Sequence, residues 1–406
     1  MLAALTLMLL VTGDWPRLFG PDGDSTTDVA FPVEWSTTDY AWSRSLPGEG
    51  HSQPIVVGDR LYLTTGLDLR VRALLCLDAT TGESLWKAET ETRGVRLHRK
   101  NSGGSSTPAY GLTADGEGRL VAVYADAFRQ LAVAFDMDGR PVWERDLGHF
   151  ESQHGHGASP LIENGRVYLA NDQLGDSSVV ALDLADGEIV WSTSRKVSKT
   201  AYATPRMATV GDRRVLIVLS DAEGVAGLDP DTGEALFASG PQPARVVASP
   251  VLLPTKEGLA VLISSGSGGG GKHMERVDVR NDGGTWNTSV RWTRSRTLPY
   301  VPTPVIAGDL LFLWNDNGTL ICVDPDDGSN IWAERLGGNF SGSPLLAGGR
   351  LYAISEDGEV VVVDASRTFR RHPGGRIPDG SHSTPSAGDR RMYLRGFASL
   401  SALPAE

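Results

Sequence analysis

A short pattern recurs along this chain and limits what the chain can fold into. Its clearest form is Leu182-Asp183-Leu184-Ala185-Asp186-Gly187-Glu188-Ile189-Val190-Trp191. It returns from Asp78 through Gly82 to Trp86, from Asp229 through Gly233 to Phe237, and from Asp324 through Gly328 to Trp332. A copy one residue shorter runs from Asp136 through Gly139 to Trp143. Apolar alternation leads into the Asp, turn residues follow, and a second apolar run ends on an aromatic, which is the pattern of a β-hairpin. The Asp can accept N–H bonds across the turn, and the Gly can take positive φ without a Cβ clash. A large aromatic at a fixed offset needs a burial site that one hairpin cannot supply. The neighbouring copy can supply it.

A second marker precedes each hairpin: a small residue one or two places before a proline, then a strand, a tight turn and another strand. The prolines are Pro54, Pro108, Pro160, Pro205, Pro250, Pro304, Pro344 and Pro385, spaced roughly 47 residues apart. Each unit holds four strands, which predicts propeller blades. The aromatic marker also occurs eight times: Trp42, Trp86, Trp143, Trp191, Phe237, Trp292, Trp332 and Phe369. Trp42 precedes the first proline and nothing follows Pro385, so the last unit lacks its outer strand. The segment around Trp42 is predicted to supply it and close an all-β, eight-bladed ring without an open sheet edge. The fifth unit is the most irregular. Its glycine tract ends on Gly271-Lys272 but continues with His273 and no helix pattern, so a flexible loop accounts for it better than a phosphate loop.

Composition narrows the partners. The formal net charge of −12 argues against nucleic acid or an anionic membrane. Cys76 and Cys322 occupy the slot held in other copies by Ala134, Ala181 and Gly227, so they read as small buried side chains and not as a disulfide. Residues 1–13 are apolar and uncharged, too short to span a bilayer, and match the core of a secretory signal. The expected organisation is a signal over 1–13, an N-terminal arm over 14–39 and one propeller over 40–406, monomeric, with no membrane span and a periplasmic or secreted location.

The Leu-Asp-x-x-Thr-Gly-Glu-x-x-Trp repeat resembles the tryptophan-docking motif of the pyrroloquinoline-quinone-type eight-bladed propellers. The resemblance covers residues 40–406 and implies that each Trp packs on the motif of the next blade. The stretch Trp15-Pro16 through Gly20-Pro21-Asp22-Gly23 resembles exported propellers of planctomycete-type bacteria, as does His154-Gly155-His156-Gly157. The family includes quinone-dependent alcohol and sugar dehydrogenases and the non-catalytic BamB-like scaffolds. The dehydrogenases typically carry adjacent cysteines and an acidic and amide set for Ca²⁺. Neither is matched here, so the resemblance favours a non-catalytic binding or scaffolding propeller without a cofactor. A quinone- and Ca²⁺-dependent oxidoreductase is the alternative, with a metal-dependent enzyme using the histidines behind it.

Turns alternate between two faces of a propeller. The short Gly-Asp-Arg and Thr-Gly turns share one face, and the longer, variable connections share the other, where function is expected. All eight histidines are assigned to that loop-rich face, with His372 and His382 leading into blade eight and His273 in the blade-five loop. His51 and His382 each lie three residues before a marker proline in blades that meet on closure. His154 and His156 alternate about Gly155 and are expected to share a face. With His98, Arg99, Lys100 and Asn101 they form a candidate cationic, imidazole-rich sector. It would suit a small anionic ligand slightly better than a transition metal, or a partner protein.

Overall fold

Four-stranded antiparallel sheets repeat eight times around an axis in the computed structural model, which describes residues 13–94, 98, 100–126, 128–268 and 270–406. The expected signal segment falls almost wholly outside the described residues. Blade one comprises Ile55–Val57, Arg60–Gly66, Val71–Asp78 and Ser84–Glu91, from the axis outward. The next three blades run from Ala109–Leu112 to Pro141–Asp146, from Leu161–Glu163 to Ile189–Arg195, and from Arg206–Val210 to Ala235–Ala238. Blade five spans Val251–Thr255 to Thr285–Arg294, with Arg245–Val246 pairing the same second strand. Blades six and seven run from Val305–Ala307 to Asn330–Arg335 and from Leu345–Ala347 to Arg371–Arg376. Blade eight has Ser386–Gly388, Arg391–Arg395 and Ser399–Pro404. Its outer strand is Trp42–Ser45, antiparallel to Ser399–Pro404. The ring therefore closes as the order of the two markers requires.

The docking motif works as a joint between blades. Trp42, Trp86, Trp143, Trp191, Trp292 and Trp332 donate Nε1–H to Ala79, Met137, Leu184, Pro230, Pro325 and Ser366 of the following blade, at 2.9–3.2 Å. The first five rings lie directly on Gly82, Gly139, Gly187, Gly233 and Gly328. Asp78, Asp136, Asp183, Asp229 and Asp324 accept N–H bonds from their own turns. Opposite five of the six rings across the hairpin sits a small residue, among them Cys76, Ala181 and Cys322, whereas Arg276 stands opposite Trp292; both thiols are buried and unpaired. The core is accordingly a series of apolar layers between neighbouring blades.

Two joints depart from the motif. The turn glycines of blade five, Gly283 and Gly284, do not receive Phe237, which stacks instead on Trp286 at 5.3 Å. Phe369 is not a docking aromatic of blade seven. It receives Trp332 at 5.3 Å, and the residue opposite the small slot Val362 is His372.

The small residue before each marker proline has a specific use. Thr107, Ser159, Thr204, Ser249, Thr303, Ser343 and Thr384 each accept, through the hydroxyl, the backbone N–H of the equivalent residue one blade earlier, at 2.9–3.1 Å. Seven such bonds form a belt around the axis, satisfying donors that the ladder leaves free. The belt is broken at blade one, where Gln53 replaces Ser or Thr. Its side chain donates to Pro385 O at 2.6 Å and accepts from Phe19 N–H at 2.7 Å.

Phe19 belongs to the N-terminal arm, which enters the axial channel. Trp15 bridges Val56 antiparallel, Pro16 O accepts from Tyr110 N–H, and Arg17 donates to Ile162 O. The chain reverses over Phe19–Ser25, with positive φ at Phe19, Gly20, Gly23 and Ser25. Thr26–Thr27 then pairs parallel with Leu346 and Ala347 on the inner strand of blade seven. The arm thus touches the inner strands of blades one, two, three and seven, and reaches blade four through Arg206, which donates to Asp22 O.

Candidate functional site

Residues just before the belt converge at the channel mouth on the loop-rich face. His51 and His382 meet edge to face at 4.6 Å between ring centroids, and Phe397 closes on them at 5.6 and 4.9 Å. Lys100 reaches across the mouth, its Nζ 2.8 Å from Glu356 Oε1 of blade seven, where Ser341 Oγ also donates at 2.7 Å. Beneath them lies Arg395, with no exposed surface. Its Nη1 donates to Ser52 O and Oγ, while Nε and Nη2 find no partner among the described residues.

A second cluster adjoins through the segment 98–104. His98 and His154 meet edge to face at 4.4 Å, and Lys100 N–H points to His98 Nδ1 at 3.3 Å. Asn101 Nδ2 donates to His156 O at 2.8 Å. The expected shared face of His154 and His156 is not formed, because Gly155 takes φ +85° and breaks the alternation. His154 turns to His98, whereas His156 turns inward to Phe150 and to Gln130, whose Nε2 lies 3.2 Å from its Nδ1. Arg99 lies outside the described residues.

The electrostatics differ from those of a cationic sector. Burial lowers the His156 imidazole to about 4. Burial and the neighbouring His51 lower His382 to about 4. Burial likewise lowers His51, helped by Arg395 and opposed by Glu49. His154 falls through burial, Arg245 and His98. Burial works to raise the Glu356 carboxyl, but the bonds from Lys100 and Ser341 outweigh it and hold it low. These imidazoles are neutral at pH 7 and the lysine is already paired. Arg395 is a buried positive charge with no carboxylate within 4.0 Å among the described residues, and no spacing in the sequence announced it.

The chemistry available is correspondingly limited. His51 to Glu49 and His382 to Glu356 measure 3.7 and 3.8 Å, too long for the hydrogen bonds of a proton relay. Among the described residues no group of three or more His, Cys, Asp or Glu is placed to hold a metal ion. His372 does not lead into blade eight. It lies in the outer strand of blade seven with Nε2 2.6 Å from Asp364 Oδ1, at the short-turn end. His273 opens a strand of blade five and contacts Glu275 at 2.8 Å. Between blades three and four, Arg195 is buried on Asp172 and Glu223 at 3.1 and 2.9 Å. Burial pushes the Asp172 carboxyl up to about 6.

Three exposed apolar side chains occupy equivalent places on the same face. Leu69, Phe128 and Leu174 sit in the second-to-third loops of blades one, two and three, with 63, 53 and 39% of their surfaces open. Arg93 lies over the Phe128 ring at 5.3 Å. No helix among the described residues is long and apolar enough to cross a membrane.

Comparison with known proteins agrees with this geometry. A family model described as outer membrane protein assembly factor BamB matches residues 25–123, 73–298 and 270–372. The assembly factor BamB of Moranella endobia (strain PCIT) is 21% identical over 347 residues, covering 84% of this chain and 78% of that protein. The solved structure of BamB from Moraxella catarrhalis is similar with a TM-score of 0.57 and 14% identity, over 89% of this chain and 96% of that one. A europium-containing methanol dehydrogenase gives a TM-score of 0.69 at 13% identity, over 94% of this chain and 89% of that one. At these identities the two structures share the fold, and the fold alone does not choose between binding and catalysis.

Proposed function

Because this chain belongs to the family of the outer membrane protein assembly factor BamB, we propose that it is an exported binding or scaffolding propeller that presents its loop-rich face to a partner protein. The observation that carries the reading is the row of Leu69, Phe128 and Leu174, exposed on equivalent loops of three consecutive blades. Apolar side chains repeated at one place on a rigid ring are what a partner surface needs. The exposed Arg93 beside Phe128 adds a cationic, π-stacked anchor of the kind enriched in interfaces. A location outside the cytoplasm is supported by the relatives' printed role as outer membrane protein assembly factors.

The channel mouth supports binding over quinone chemistry. A flat cofactor on the axis needs room there, and His51, His382 and Phe397 pack their rings against one another at the mouth. Cys76 and Cys322 are buried in strands of blades one and six, so no cysteine pair is available beside such a group. The residues present do not fit it. The test is anaerobic titration with the quinone and Ca²⁺, followed by dye-linked oxidation of simple alcohols. No saturable quinone binding and no turnover are expected. Saturable binding with turnover would overturn the reading.

A further inference from the structure

The arm leaves one part of the channel wall uncovered. It pairs with or bonds to the inner strands of blades one, two, three, four and seven, and bypasses five and six. In the gap lies a cavity of about 210 Å³, with Phe19, Gly23, Asp24 and Ser25 of the arm on one side. The inner strands of blades five and six, from Pro250 to Pro254 and from Thr303 to Ile306, form the other. An apolar cavity of about 150 Å³ is enough to take benzene, so this one has room for a ring or short chain with one polar group attached.

The wall is mostly Pro, Val, Leu and Ile, and Arg206 stands at its polar end. The Arg206 guanidinium donates to the carbonyl of Asp22, and no carboxylate oxygen comes within 4.0 Å of it among the described residues. Burial lowers its pKa to about 10, with Asp24 and Asp22 opposing that from farther off and Arg17 adding to it. A half-buried cation without a contacting anion, at the end of an apolar slot, selects for a carboxylate carried on an apolar body. Asp24 offers little to a competing amine, because it is exposed and its Oδ1 already accepts from Thr26 at 2.8 Å.

We propose that this cavity is a binding pocket for a small apolar carboxylate, with its body against Leu253, Pro304 and Ile306 and its carboxylate on Arg206. It is separate from the partner face, and neither reading depends on the other. The experiment is fluorine NMR and calorimetry on the full chain with fluorobenzoate, hexanoate, benzyl alcohol and benzylamine. Both carboxylates should bind saturably at millimolar or better, and benzyl alcohol about tenfold more weakly. Arg206→Gln should weaken both carboxylates about tenfold and leave benzyl alcohol unchanged. Arg206→Lys should retain part of the affinity. Ile306→Trp, which fills the slot, should abolish binding of all of them. Melting curves identify any variant that fails to fold, and the ligand series on the wild type decides the matter without variants. The proposal is overturned by no saturable carboxylate binding up to ~10 mM, by benzylamine binding more tightly than fluorobenzoate, or by equal carboxylate affinity in folded Arg206→Gln.

Discussion

Gly233 tests the docking joint more cleanly than the tryptophan does. Its φ is +75°, and a Cβ added there would stand 2.5 Å from Cε3 and 2.6 Å from Cδ2 of Trp191. Gly233→Ala therefore carries two costs: about 1–2 kcal/mol for the left-handed backbone and about 1–3 kcal/mol for displacing the ring. Gly211 supplies the control, because its φ is +66° and nothing lies within 4 Å of its added Cβ. Gly211→Ala should cost only the first amount. Trp191 is 8% exposed, and burying a ring of roughly 150–250 Å² contributes at most about 4–6 kcal/mol. Trp191→Ala also removes one of three donors to the Pro230 carbonyl, which keeps Arg166 and Tyr168, and it should cost about 3–5 kcal/mol. Without the ring, Gly233→Ala should fall toward the cost of Gly211→Ala, staying above it only by the displacement of Thr193 Oγ1, 2.7 Å from the added Cβ. For a chain of 406 residues, the usual unfolding entropy per residue makes 1 kcal/mol about 1 °C in melting temperature. Calorimetry at one scan rate should then show losses of about 2–5 °C for Gly233→Ala and about 1–2 °C for Gly211→Ala. Equal losses in the two alanine variants, or additivity of Gly233→Ala with Trp191→Ala, would refute the joint.

Further predictions concern the arm, the closure and pH. Gln53→Ala strands the buried Phe19 N–H and should cost about 1–3 kcal/mol, with faster proteolysis within the arm as the readout. Deleting residues 1–48 removes both the plug and the outer strand of blade eight, and should yield aggregates in gel filtration; deleting 1–12 should leave a folded ring. His156, held near 4 in the folded chain against about 6.5 unfolded, binds fewer protons than the unfolded state between those values. Stability should therefore be complete above pH 6.5 and fall as the pH drops toward 4, by at most about 3 kcal/mol from this residue. His156→Gln should flatten that part of the melting-temperature profile. Glu356→Gln breaks a partly exposed pair with Lys100 and should change stability by less than about 1 kcal/mol, measured in urea.

The sequence revealed whatever is built from local rules repeated. Asp183, Gly187 and Trp191 interact within one hairpin and its neighbour, so spacing alone exposes them, and the order of Trp42 and Pro54 exposes the closure. The approach of His51 to His382 follows from the same register. The path of the arm was not legible, because Phe19, Gly20 and Ser25 form an irregular reversal whose partners, Gln53 and Pro344, are remote in sequence. Gln53 was the available signal, as the one non-hydroxyl residue before a marker proline. The neutrality of the histidines was also hidden, since it depends on burial by loops without a repeated pattern. Phe397, Glu356 and Arg395 come from such loops and strand ends. The face of His372 is not legible from spacing, because Phe369 sits where the aromatic of blade seven is expected while His372 holds the paired position.

The central claim, that the loop-rich face binds a partner protein, is tested most directly by photocrosslinking in the native cell. A photoreactive residue is placed at Phe128 or Leu174 on that face, and at Leu85 or Val290, equally exposed on outer strands. One adduct of discrete mass from positions 128 and 174, absent from 85 and 290 and lost with Leu69→Asp, is the predicted result. No adduct from any position, or the same adducts from all four, would contradict it.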